Sequence, residues 1–395
     1  MLRFLTAGES HGPLLTGILE GMPAGLPLAP DDIDRDLARR QQGYGSGGRM
    51  QIERDHARIT GGVMAGRTTG GPIALVIENR DWKNWAEKDI APMVTPRPGH
   101  ADLTGAIKYG YPDLRLALER ASARETALRV AVGAISKRLL GEFGIAVGGY
   151  VTEIAGEVAQ FGDEPPDYPA RFAAAEGSEV RCPDLAASER IQAAIRQAKI
   201  DQDTLGGVIE VVALGLPPGL GSHVHYDRRL SGRLAGAVCS VPSIKGVEIG
   251  PAFENARKRG TQVHDQIVPG EGGLLARTSN RAGGLEGGMT TGEPLVVRAA
   301  MKPISTTLTP LQTVNLATGQ PDRTVYERSD FCAVPRAVVV IEAMVALVLA
   351  DELLIKLGGD NLEELRTRYA ALRQGRLDDL PMDNTPWRFG YDAWE

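Results

Sequence analysis

Cysteine is scarce in this chain of 395 residues: Cys182, Cys239 and Cys332 lie far apart, with no CxxC pair. That spacing supplies neither a zinc site nor a disulfide framework, and it fits a reducing, cytoplasmic setting. Long apolar runs are also lacking. The longest, Ala337–Ala350 (AVVVIEAMVALVLA), is 14 residues with Glu342 inside it, whereas a bilayer span needs about 20. A buried core helix is expected there, and no membrane partner. The opening MLRFLTAGESHG carries too short an apolar run for a signal peptide. Lysine is sparse as well, only 9 of the 44 basic residues. The arginine excess has two readings, genomic base composition or use of the planar guanidinium on anionic substrates. Net charge is −6 and no basic stripe is interleaved with aromatics, so nucleic acid is not an expected partner.

What is present is ordinary for a globular chain: 43% hydrophobic and 24% charged residues, enough for one large domain or two. LRFLTAG reads as a strand, and TGILEGMPAGLPL as a second one interrupted by Gly and Pro. PDDIDRDLARRQQ starts with proline, holds acids in its first turn and arginines in its last, a helix polarity that matches the macrodipole. RMQIERDHARITGGVMAG alternates like paired strands, and GPIALVIE is a further strand. After a Trp/Pro-rich loop, one long helical stretch is expected from Leu114 to Phe143. The Pro- and acid-rich segment 163–186 reads as an exposed insertion, followed by a helix around Ser188–Lys199. GGVIEVVAL is expected as a strand, RRLSGRLAGAVCS as a helix, EPLVVRAAM as a strand and Pro335–Leu357 as the core helix. Helices and hairpin-like strands interleave without regular alternation, which argues for α+β with antiparallel sheets. Residues 360–395 hold 8 acidic and 5 basic residues with little periodicity, so a short helix and a loosely ordered tail are expected.

For chemistry, several frames are missing: no GxSxG elbow, no Walker loop, no GxGxxG after a strand. The acid–base candidates are His11 in GESHG and His100 in RPGHADL, each in a glycine-bounded loop. Such a histidine is equally at home in a solvent-facing turn. His223 and His225 form an HVH pair without carboxylate or cysteine company, so a surface loop is expected and no metal. His56 and His264 show no evident partner. ERASARETALRV (Glu119–Val130) places Arg120 and Arg124 four apart, on one face if helical. Like charges repel there unless an anion lies between them, and a salt-laced surface helix is the alternative. Ser122 and Thr126 add hydroxyls, and Glu125 with Arg129 form an i, i+4 pair. RRQQGYGSGGRM, RPGHADL and ERSDFCAVPR (with Arg328, Asp330 and Arg336) repeat the arginine-and-glycine theme, and KPIST (Lys302–Thr306) suits a phosphate. Each loop alone is explained by a turn. Together they favour an anionic ligand without naming it.

In this order, GESHG, RRQQGYGSGGRM, RPGHAD, ERASARET, GGVIE, KGVEIG, NRAGGLEGGMTTG, MKPIST and RSDFCAVPR resemble the chorismate synthase family, from Leu2 to about Gly359. The resemblance implies a single catalytic domain over residues 1–359, a β-α-β sandwich with a helical layer between antiparallel sheets, in a homotetramer. It implies a lyase converting 5-enolpyruvylshikimate 3-phosphate to chorismate and phosphate by anti-1,4-elimination. Reduced FMN (FMNH2) is then required without net redox change, with NADPH a candidate reductant. Matched to family motifs, Arg120, Ala121, Ser122, Pro242, Ser243, Gly287, Lys302, Pro303, Ile304, Ser305, Thr306 and Arg328 would contact FMN. Ser10, Arg40, Arg49, Arg97, Arg124 and Arg328 would hold the substrate's phosphate and carboxylates. His11 is then the acid at the leaving phosphate, His100 the group that protonates the reduced flavin or stabilises its anion, and Asp330 an aid to proton movement at flavin N5. The family usually has arginine where this chain has Ser46, a position associated, with Arg40, with the nicotinamide or phosphate end. Its loss removes one charge-assisted bond, roughly 1.5–3 kcal/mol, and weakens the case for direct NADPH use. Two other classes stay open: an NADPH-consuming flavin reductase, and a non-catalytic phosphate- or nucleic-acid-binding module built on the arginine loops.

Overall fold

The computed structural model describes residues 1–45, 54–162, 164–325, 327, 330–380 and 382–387. Its first sheet follows from alternation. In LLTGILE, Leu15 and Leu19 are buried while Ile18 and Glu20 face out, and in IALVIE the buried residues are Ile73, Leu75 and Ile77. The strand Leu14–Glu20 lies between Arg3–Ala7 and Ile73–Glu78, with Ala57–Gly61 on the far edge, antiparallel throughout. Of RMQIERDHARITGGVMAG, expected as paired strands, residues 49–53 lie outside the described residues. Ala57–Gly61 pairs with Ile73–Glu78, and Val63–Met64 with Arg67–Thr68. The second sheet runs Ile244–Ile249, Leu295–Met301, Gly207–Leu214, Ala146–Ile154 and Glu157–Val158, again antiparallel.

Two buried helices meet these sheets. Thr126–Gly141 lays Leu128 against Gly17 of the first sheet. It crosses the long helix Val334–Leu357 at Gly133, where a Cβ would stand 2.2 Å from that of Ala343. Only glycine permits so close an approach of the two backbones. On its other side the long helix sets Val338 against Gly149 of the second sheet. Apolar on all sides, the long helix still carries Glu342 at its centre, fully buried. Arg39 donates to both oxygens of Glu342 at 2.8 and 3.0 Å, and Lys137 adds a third bond at 2.6 Å. Among the described residues no helix is long and apolar enough to cross a membrane. Helices mixed with antiparallel sheets make this an α+β protein, as expected.

Two segments depart from expectation. The single helix expected over Leu114–Phe143 is broken into Arg115–Ala121 and Thr126–Gly141, with Ser122 extended (φ −64, ψ 143) between them. Ser122 Oγ accepts the Arg124 N–H at 3.3 Å, the capping bond that serine makes in preference to continuing a helix. The segment expected as an exposed insertion contains a helix, Tyr168–Glu176, capped by Asp167, and then buries Val180, Arg181 and Cys182. Near the C-terminus the expected short helix is Leu362–Ala370, which buries Leu362 and Leu365, while residues 381 and 388–395 of the expected tail lie outside the described residues.

Candidate active site

The loops singled out in the sequence converge on one cavity of about 780 Å³, in the upper part of the roughly 300–1,000 Å³ range of ligand pockets. GESHG supplies Ser10 and His11, RPGHA supplies Arg97 and His100, and the helix break supplies Ala121 to Arg124. VPSIK lines another side with Val241 to Lys245, KPIST with Lys302 and Ile304 to Thr306, and the last wall holds Asp330, Ala333 and Arg336.

GESHG is not a solvent-facing turn. Gly8 has φ +115, and a Cβ there would lie 2.7 Å from the Leu14 carbonyl, so the chain reverses tightly against its own strand. Asn79 Nδ2 donates to the carbonyls of Ser10 (2.9 Å) and Gly12 (2.8 Å) and fixes the turn from below. The Ser10 N–H donates to the Glu119 carbonyl at 3.1 Å. His11 meets the Glu119 carboxylate twice, through its main-chain N–H (2.8 Å) and its ring Nδ1 (2.7 Å). Burial opposes the charge on Glu119, but the bonds from His11 outweigh it and hold the carboxyl below its usual range. The imidazole rests 4.0 Å from the Trp85 ring and is only 16% exposed.

His100 is anchored in the same way. Its Nδ1 lies 2.5 Å from Asp102 Oδ1, and Arg97 donates to both oxygens of Asp102 at 2.8 and 3.0 Å. Arg97 Nη2 is also 3.1 Å from Nδ1 of His100, an approach of two donors that share one carboxylate oxygen. Burial of Asp102 opposes its charge, yet the bonds from His100 and Arg97 prevail and keep it ionised well below the usual carboxylate range. The remaining Arg97 donor reaches Thr306 Oγ1 at 3.1 Å, joining RPGHA to KPIST.

The floor is cationic. Asp55, its side chain wholly buried, accepts from Arg124 at 2.6 Å and from Arg40 at 3.4 Å. Arg336 is ion-paired with Asp330, and burial together with neighbouring Arg40 pulls its basicity down to about 9. Lys302, which donates to Ser305 Oγ at 2.9 Å, is likewise made less basic by burial and by Lys245. Cations crowded this way gain from an anion placed among them.

Most residues expected at a site therefore meet here: Ser10, His11, Arg40, Arg97, His100, Ala121, Ser122, Arg124, Pro242, Ser243, Lys302, Ile304, Ser305, Thr306 and Asp330. Arg120 does not line this cavity. Beyond the Ser122 break its guanidinium turns to the first strand, donating to Thr6 O and Oγ1 at 2.8 and 2.7 Å. Arg120 and Arg124 thus do not share a helix face, and the anion clamp read from their spacing is corrected. Pro303 and Gly287 also fall outside the lining, Gly287 in the Leu285–Glu286/Met289–Thr290 hairpin beside His223. Ser46, Arg49 and Arg328 lie outside the described residues. Glu125 and Arg129 pair at 2.9 Å as expected. His56 does have a partner, Asp34, and His225 meets Asp227 at 2.8 Å. No cluster of three metal-ligating side chains occurs among the described residues. Sequence reasoning passed over Glu119, Asp55 and Trp85. Glu119 opens a motif that had been singled out, but nothing local marks it as the partner of His11.

A family model described as chorismate synthase matches residues 2–354. Chorismate synthase of Trichlorobacter lovleyi is 56% identical over 382 residues, covering 92% of this chain and 97% of that protein. Chorismate synthase of Aquifex aeolicus is 53% identical over 383 residues, covering 93% and 96%. A solved crystal structure of chorismate synthase superposes with a TM-score of 0.77 at 47% identity, covering 94% of this chain and 96% of that one. The chain belongs to the chorismate synthase family and is one of its enzymes, forming chorismate.

Proposed function

We propose that this enzyme converts 5-enolpyruvylshikimate 3-phosphate to chorismate and phosphate by anti-1,4-elimination, dependent on reduced FMN and without net redox change. The cavity's charge carries the reading. Arg40, Arg97, Arg124, Arg336, Lys245 and Lys302 surround one space, and Arg336 and Lys302 are disfavoured as cations by burial and by their neighbours. A substrate bearing a phosphate and two carboxylates, beside a cofactor bearing another phosphate, places further negative charge among these cations.

The residues suit that cofactor. Leu118, Val241, Pro242, Met301 and Ala333 offer an apolar wall for a ring, and Lys302 with Ser305 offers donors for a phosphate. Ala121, Ser122, Ser243, Ile304 and Thr306 border the same space. Arg120, Pro303, Gly287 and Arg328 keep a cofactor role only through the resemblance. When bound, reduced FMN supplies the electron-rich ring that permits an elimination with no net redox change. NADPH is the candidate reductant; the part of Ser46 and Arg40 in its use rests on the resemblance.

Ser10, Arg40, Arg97 and Arg124, with Arg49 by resemblance, hold the anionic groups of the substrate. His11 delivers a proton from its ring to the departing phosphate, a role that contributes roughly 10²–10⁴-fold in such enzymes. His100, held against ionised Asp102, keeps a proton on its ring at the cofactor side. Asp330 passes a proton at its carboxylate, next to Arg336. The contacts at Gly17, Gly133 and Gly149 support a helical layer between two antiparallel sheets, with residues 1–359 as the catalytic unit and 360–395 as an appendage. The homotetramer follows from the resemblance, and the three free cysteines support a cytoplasmic setting. The test is anaerobic: protein, dithionite-reduced FMN and 5-enolpyruvylshikimate 3-phosphate should release chorismate and phosphate together. Absence of both overturns the proposal.

A further inference from the structure

We propose that Glu119 is the positioning residue for His11, accepting both its main-chain N–H and its ring Nδ1–H so that proton transfer takes place at Nε2. The inference rests on the reading of His11 as the acid at the leaving phosphate.

Three bonds tie the last turn of the Arg115–Ala121 helix to the GESHG turn. They run from the Ser10 N–H to the Glu119 carbonyl (3.1 Å), from the His11 N–H to Oε2 (2.8 Å) and from Nδ1 to Oε1 (2.7 Å). Engaging the backbone and the side chain of one residue at once fixes both the loop and the ring direction. The acid is the doubly protonated ring: Nε2 gives its proton to the leaving phosphate while Nδ1–H stays on Glu119, and of the two neutral tautomers the ionised carboxylate, which only accepts, selects the one left with hydrogen on Nδ1. The Trp85 ring, 4.0 Å away and tilted 38°, sets the plane of the imidazole but offers no lone pair with which to choose a tautomer. The neighbouring charges act through these two groups. Arg115 stands 3.9 Å from Glu119 Oε1 and 3.6 Å from Glu327, Lys88 lies 4.9 Å over the Trp85 ring, and Asp81 accepts the Trp85 indole N–H at 3.1 Å. His100 has the same device in Asp102, so each loop histidine of the cavity is backed by an acidic residue from an adjoining helix.

The test compares the wild type with Glu119→Gln and Glu119→Asp. Long-range ¹H–¹⁵N NMR of protein labelled in histidine reads the His11 tautomer, with its signals assigned by their loss in His11→Ala. The anaerobic assay reads kcat and KM. Hydrogen on Nδ1 is expected in the wild type. In Glu119→Gln the amide donates to Nδ1, so the tautomer should reverse and the ring no longer holds both protons, with kcat falling at least about tenfold and KM changing less than about threefold. Glu119→Asp, which keeps the acceptor, should keep the tautomer and recover most of kcat. Hydrogen on Nε2 with none on Nδ1 in the wild type overturns the proposal without any variant. So does wild-type kcat in Glu119→Gln, and so does an equal loss in both variants with KM rising alongside, which marks a structural role. Wild-type kcat in His11→Ala instead brings down the acid reading, and is distinguishable because the tautomer result stands apart from turnover.

Discussion

Asp55→Asn isolates the charge balance of the cavity floor. Asp55 is the buried anion between Arg124 at 2.6 Å and Arg40 at 3.4 Å. Removing one partner of a buried ion pair costs about 3–5 kcal/mol. Asparagine keeps an acceptor oxygen, and a bond to a charged donor restores about 1.5 kcal/mol or more. A net loss of about 2.5 kcal/mol follows. For 395 residues, at about 2.1 cal/mol/K each, the unfolding entropy is roughly 0.8 kcal/mol/K. The melting temperature should therefore fall by about 3 °C. An anion entering the cavity replaces part of the lost charge, so inorganic phosphate should raise Tm more in Asp55→Asn than in the wild type. Differential scanning calorimetry with and without phosphate reads both effects. An unchanged Tm, or identical phosphate shifts in the two proteins, refutes the picture of a floor that needs negative charge.

Three further substitutions separate stability from binding. Lys302→Met removes a cation already disfavoured by burial and by Lys245, so Tm without ligand should not fall while FMN affinity, read by calorimetric titration, drops at least about tenfold. A lower ligand-free Tm would contradict the repulsion. Gly133→Val drives atoms into Ala343 and should cost about 3 kcal/mol, or about 4 °C in Tm; a wild-type Tm would mean that the helices do not cross there. Asp102 titrates below its ordinary 3.8 in the folded protein. Its contribution is therefore complete above that value and lost as pH falls through the folded one. The Tm gap between wild type and Asp102→Asn should be widest near neutral pH and close on acidification, and a gap that stays constant through the acid range refutes the assignment.

What the sequence disclosed was set by local pattern. Period-two alternation marked Leu14–Glu20 and Ile73–Glu78, and an apolar run with one carboxylate marked the long helix. Glycine flanks and hydroxyls marked GESHG and KPIST as loops, and the family motifs gathered them. What was hidden depends on partners distant in the chain. Ser122 sits in a run of good helix formers, and its extended backbone is fixed by its own cap and by its bond to Ser10 at 3.0 Å, 112 positions away. Glu119 is 108 residues from His11, and Asp55 is 69 from Arg124, so neither pairing has a local signature. The break at Ser122 also explains why the spacing of Arg120 and Arg124 misled: four residues define one face only while the helix continues. The 163–186 segment looked exposed because proline and acids dominate its start, whereas Arg181 folds inward to Glu176 and to the Arg39 carbonyl at 2.7 Å.

The most direct test of the account is product against consumed reductant in an anaerobic reaction with substoichiometric reduced FMN. An elimination without net redox change predicts many chorismate and phosphate molecules per flavin, formed one to one, with the flavin still reduced at the end. One product per flavin, with the flavin oxidised or NADPH consumed in step, would contradict it and leave the flavin reductase in its place.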